Sequence, residues 1–216
     1  MEQHLVEMIK DDVRHRLSGD SSHDWWHVFR VWNLAKRIGG EEKVENMLVV
    51  ELGALLHDIA DWKFHDGDET VGPRVAQDML EARGADAETI DAVCDIIATI
   101  SYKGAGVATP MKTREGEVVQ DADRLDAIGA IGIARTFAYG GAKGRAMYDP
   151  SVPPTLHQDK ASYHNDNGHT INHFYEKLLL VKDRLNTVTA KRIAEDRHRF
   201  MEMYLDQFYQ EWDGRR

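Results

Sequence analysis

Apolar residues return every three or four positions along most of this chain, and almost nowhere do they alternate with period two. A chain patterned in this way buries its apolar stripes by packing helix on helix. The strand runs that a parallel sheet needs are missing, and the fold class is all-α. Leu5, Met8, Ile9, Val13 and Leu17 form the first stripe. A second helix opens at Ser22 or Asp24 and lines Val28, Val31, Leu34, Ala35 and Ile38 along one side until Gly39 and Gly40 end it. A third covers residues 44–60. Thr70 or Pro73 opens a fourth, which Gly84 closes, and a fifth covers residues 87–100. "SYKGAGVATP" then breaks the pattern with Gly104, Gly106 and Pro110. A further helix starts near Val118, bends near Gly129 and Gly132, and reaches Tyr139. Two late helices, 171–185 and 189–212, follow, and no internal repeat is present.

With 216 residues, 42% of them hydrophobic, the chain supports one substantial core, so a single domain over 1–216 is expected. Thirty-seven acidic residues against 27 basic ones give a net charge of -10, which excludes a broad basic surface for nucleic acid or for an anionic membrane. Any phosphate ligand must be attracted locally. No apolar run approaches the ~18 residues that would span a bilayer, and the acid-bearing amphipathic start "MEQHLVEMIKDDVRHRL" is unlike a signal peptide. The single cysteine, Cys94, lies on an apolar helix face and reads as packing, in keeping with a reducing cytoplasm. Residues 143–169 carry Pro150, Pro153 and Pro154 but no apolar period, which suits either a lid or a mobile surface insertion. The irregular spacing of His157, His164, His169 and His173 favours solvated side chains over a second metal site.

Three stretches set polar, metal-ligating residues into otherwise apolar helices. "ALLHDIADWK" places His57 beside Asp58, and an ionised carboxylate withdrawn from water is costly unless a cation compensates it. "HDWWH" puts His23 and His27 on one helix face, with Arg30 a turn beyond. "VVQDADRLDAIGAIGIA" crowds Asp121, Asp123 and Asp126 into the start of a helix. Capping would account for Asp121 and Asp123, but Asp126 lies too far in for that.

Taken in order, "HDWWHVFRV", "LLHDIAD", "VVQDADRLDAIGAIG" and "NHFYEKLL" resemble the HD-domain metal-dependent phosphohydrolases, in particular the small bacterial members that act on nucleotides. The resemblance runs from about residue 20 to the end, and its specificity lies in the ordered set, since a His-Asp doublet alone is weak. It implies a helical bundle with the metal site in its interior. His27 is then the first ligand, His57 and Asp58 are the doublet, and Asp123 is the fourth, with Asp126 an alternative within the same helical turn.

Two imidazoles and two carboxylates suit one divalent cation, Mn²⁺ or Mg²⁺ foremost, with Fe²⁺, Co²⁺, Ni²⁺ and Zn²⁺ also compatible. Asp61, one turn beyond His57, can orient or deprotonate the attacking water, and the resemblance supports that role. Arg30, Lys63, Lys103 and Arg124 are candidate phosphate clamps, against the alternative of surface ion pairs. His23 takes a supporting part, holding a phosphate or a proton. Trp25, Trp26, Trp32 and Trp62 flank the motifs and read as core more readily than as base-stacking rings. The implied activity is hydrolysis of a nucleoside triphosphate to monophosphate and pyrophosphate. A monophosphatase or cyclic-nucleotide phosphodiesterase of the same fold is the alternative, and a non-catalytic nucleotide- or partner-binding module is the alternative of another class. The expected partner is a small phosphorylated molecule, with no nucleic acid or membrane; self-association is left open.

Overall fold

The computed structural model describes residues 2–17, 24–60, 68, 70–101, 107–156 and 168–216. Among them the chain forms nine α-helices, one 3-10 helix and no strand. The helices are α1 (Glu2–Arg16), α2 (Trp25–Glu41), α3 (Met47–Leu56), α4 (Val71–Ala82), α5 (Ala87–Thr99), α6 (Arg114–Asp126), α7 (Gly129–Ala142), α8 (Asn172–Glu176) and α9 (Val188–Trp212), with the 3-10 helix Leu178–Arg184 between the last two. None of the described helices is long and apolar enough to cross a membrane.

Several boundaries differ from the sequence reading, each for a local reason. Gly39 and Gly40 do not end α2. Gly39 is buried, and a Cβ there would meet Met47 Sδ at 2.8 Å, so it serves close packing, while Lys43, at φ 55, makes the left-handed exit. α3 stops at Leu56, short of Ala60. The helix expected from Val118 begins four residues earlier, at Arg114, and is separate from α7, because Gly129 enters α7 at φ 77 with Arg197 Cγ 3.0 Å from where its Cβ would lie. The late helix expected over 171–185 is a five-residue α-helix followed by the 3-10 helix. Gly84, at φ 73, does close α4.

The chain divides into two compact units, Met1–Tyr102 with Thr109–Asp123, and Lys103–Ala108 with Arg124–Arg216. In the first, α3 is the hub: Val49, Val50, Leu52, Ala54, Leu55 and Leu56 are all buried, and α1, α2 and α5 pack on it. A helix with so little polar surface is stable only when covered from several sides. In the second, α9 packs on α7 and on the 3-10 helix, around Phe174, Met201 and Ala194. Phe174 and Tyr204 stack with ring centroids 5.9 Å apart.

The described parts of the 143–169 segment belong to this second unit and are clasped to it. Thr170 and Ile171 donate their backbone N–H groups to the carbonyls of Ala146 and Met147, Asn172 Nδ2 donates to Val152 O, and Thr155 N–H donates to the buried Glu176 carboxylate. His169 is not solvated, contrary to the sequence reading. It is buried, its Nε2–H donates to Val152 O, and its Nδ1 accepts from Asn172 N–H. His157 and His164 lie outside the described residues, as does the middle of the segment, 157–167.

Packing around the His173 ring, with Lys177 and Arg145 nearby, pushes its pKa down to about 3. Its imidazole NMR signals should therefore stay unshifted from pH 8 to pH 5, where an ordinary histidine titrates near ~6.5; a midpoint above pH 6 would contradict this environment. Gly132 sits where a Cβ would lie 2.2 Å from the Ala127 carbonyl oxygen. Gly132→Ala should cost about 1–3 kcal/mol or more, read as a lower urea midpoint, because backbone rather than a pliable side chain must yield.

Candidate metal centre

Four side chains from three helical regions meet within the first unit. Asp24 caps α2 by accepting the His27 N–H at 2.7 Å, which places His27 in the first helical turn. The His57–Asp58 doublet lies just past the end of α3, with His57 as its C-cap, rather than within a helix reaching Ala60. Asp123 stands in the last turn of α6. Because α6 starts at Arg114, neither Asp121 nor Asp123 is positioned to cap its N-terminus, so that explanation of the acids fails.

His27 Nε2 lies 3.2 Å from His57 Nε2, 3.3 Å from Asp58 Oδ2 and 3.4 Å from Asp123 Oδ1. His57 Nε2 is 3.5 Å from Asp58 Oδ2 and 3.7 Å from Asp123 Oδ1. His57 Nδ1 donates to the Ala54 carbonyl at 2.8 Å. A carbonyl can only accept, so Nδ1 carries a proton and Nε2 is the atom turned toward the other three groups. Two imidazole nitrogens in contact, with two carboxylates against them, require a cation among them, either a proton or a metal ion.

The donor set fits a metal. Donor atoms held ~2.0–2.1 Å from one ion stand roughly 2.9–3.4 Å from each other, close to the observed separations. The last carbonyls of α3 present the negative end of its dipole beside His57 and favour positive charge. The imidazole side chains are 4% and 1% exposed, whereas Asp58 and Asp123 are 24% and 34% exposed. The rigid nitrogen ligands thus sit at the bottom and the carboxylates at the accessible side, where water or a phosphate oxygen can approach. Burial opposes ionisation of Asp123, but the hydrogen bond from His27 and the positive fields of His57 and His27 outweigh it, and its carboxyl is held below the usual range.

Asp126, the alternative fourth ligand, is buried in the second unit, where its Oδ2 accepts from Arg135 Nη1 at 2.9 Å. Among the described residues, the grouping of donors able to hold an ion comprises His27, His57 and Asp123, with Asp58 beside them. Arg124 is buried and donates through Nη1 to the Arg184 carbonyl, and Arg30 is half-buried on α2. His23, Asp61, Lys63, Lys103 and Trp62 lie outside the described residues. Trp25 and Trp32 are core: Trp25 packs on Phe29, and Trp32 donates its Nε1–H to Glu51. Sequence reasoning missed the Ala54 carbonyl that orients His57, since a backbone group leaves no mark in residue identity.

Comparison with known proteins agrees with this geometry. The HD domain family model matches residues 25–128, from the first helical residue of α2 to just past α6. The Bacillus subtilis protein YpgQ is 41% identical over 213 residues, covering 97% of this chain and 94% of that protein. An HD-superfamily hydrolase from Bacillus thuringiensis superposes with a TM-score of 0.77 at 44% identity over 99% of both chains. The crystal structure of YpgQ in complex with ADP gives 0.78 at 37% identity, over 97% of this chain and 96% of that one. The chain belongs to the HD superfamily of hydrolases.

The Asp126–Arg135 contact pairs a buried carboxylate with a guanidinium that is 36% exposed, so Asp126→Ala removes a charge-assisted hydrogen bond and leaves the guanidinium to water. Unfolding free energy should fall by about 1–3 kcal/mol in urea titrations. An unchanged midpoint would show that the pair contributes nothing.

Proposed function

We propose that the protein is a divalent-metal-dependent nucleoside triphosphate diphosphatase, formed by the whole chain 1–216. The observation that carries this reading is the convergence of His27, His57, Asp58 and Asp123 on one point, with the carboxylate side open to a ligand. The ADP complex of YpgQ, a relative over nearly the full length, supports a nucleotide as the ligand.

His27, His57, Asp58 and Asp123 hold one divalent ion, Mn²⁺ or Mg²⁺ foremost, with Fe²⁺, Co²⁺, Ni²⁺ and Zn²⁺ compatible with the same mixed nitrogen and oxygen donors. When bound, the ion acidifies water and neutralises charge on a phosphoryl oxygen. Asp61 takes the proton of the attacking water. The water oxygen bonds to the α-phosphorus, the bond from that phosphorus to the bridging oxygen breaks, and pyrophosphate departs. Arg30 and Lys63 supply the local positive charge that a chain of net charge -10 must concentrate to hold a polyphosphate. His23 positions a phosphate or returns a proton to the leaving group.

The test is a nucleotide panel incubated with Mn²⁺ and scored separately for pyrophosphate and phosphate. Pyrophosphate should appear in equal amount to nucleoside monophosphate, a chelator should abolish it, and His57→Ala and Asp123→Asn should lower kcat/KM by at least about 10–100-fold, the loss seen even for outer partners of metal ligands. Phosphate release alone would make the protein a phosphatase, and background rates with every phosphorylated compound would leave a binding module.

A further inference from the structure

Of the tryptophans near the motifs, Trp26 alone among the described residues stands in solvent. It is 57% exposed, whereas Trp25 and Trp32 are buried with their polar and aromatic contacts made. An indole left this open withholds a large apolar surface from the core, and it sits directly before a residue of the metal cluster. Among the described residues the ring contact of Trp26 is with Phe29, centroids 6.0 Å apart and planes at 88°. A perpendicular contact leaves most of the ring surface outside it, in keeping with the 57% exposure, and a flat partner can stack on that surface.

Helix geometry relates this face to the metal cluster. At 100° per residue, His27 lies on the side of α2 that turns inward to His57, while Trp26 and Arg30, four residues apart, are neighbours on the adjoining side. Arg30 lies one turn from both His27 and Trp26. The order around the helix is metal ligand, cation, open aromatic ring. A nucleotide presents its groups in the matching order: phosphates for the ion and the guanidinium, then the sugar, then a planar base.

We propose that Trp26 is the base-stacking platform of the nucleotide site, an inference that rests on the nucleotide reading above and names how that site tells a nucleotide from a bare polyphosphate. Stacking on a π-face tolerates any base, so the platform favours nucleotides as a class and discriminates little among bases.

The test compares two non-hydrolysable ligands by calorimetry on the Mn²⁺-loaded protein: an α,β-methylene nucleoside triphosphate, and methylenediphosphonate, which has the phosphonates without a base. In Trp26→Ala the ratio of their dissociation constants should shift against the nucleotide by about 10-fold, as expected for one lost base–aromatic stack. Trp26→Phe, which keeps a π-face, should recover most of it. Equal weakening of both ligands, or no change in either, overturns the platform whether or not the protein hydrolyses nucleotides. A Trp26-dependent preference in a protein that cleaves no nucleotide would uphold the platform and sink the diphosphatase reading, and a wild type that binds no nucleotide would overturn both.

Discussion

Two imidazole Nε2 atoms and two carboxylates cannot face one another at 3.2–3.7 Å without positive charge between them. The rest of the first unit is arranged to keep them there. α3 is almost wholly apolar and is packed by three helices, which makes its end a rigid platform for the His57–Asp58 doublet. The Ala54 carbonyl then selects the tautomer of His57 that leaves Nε2 free to ligate. Asp24 starts α2 at the position that brings His27 to the same point.

Helix ends carry this site more than helix interiors do. His27 lies in a first turn, His57 at a C-cap, Asp58 just beyond it, and Asp123 in a last turn. Ends leave backbone groups unsatisfied and offer side chains an exit from the packed bundle, so polar chemistry concentrates there at little cost to the core. The graded exposure of the ligands follows from the same placement, with imidazoles deep and carboxylates outward.

The all-α class was legible because the 3.6-residue period runs through nearly every segment, and the ordered His, His-Asp and Asp elements were legible because few other reasons exist for such residues on apolar stretches. Boundaries were less so. Gly39 and Gly40 look like a stop signal, but whether a glycine terminates a helix or admits a neighbour such as Met47 depends on packing that residue identity does not encode. Asp123 and Asp126 stand within one helical turn, the resemblance favours Asp123, and what tertiary folding adds is the guanidinium of Arg135, which pairs with Asp126. His169 looked solvated for a related reason: the carbonyl that binds it, Val152, lies seventeen residues away.

The whole account stands on a single ion shared by His27, His57, Asp58 and Asp123. Anomalous diffraction at the manganese edge from crystals soaked in Mn²⁺ tests it most directly. One peak within coordination distance of both Nε2 atoms and both carboxylates is the predicted result. Imidazoles bonded to each other with no peak between them, or a peak lodged elsewhere in the chain, would contradict it.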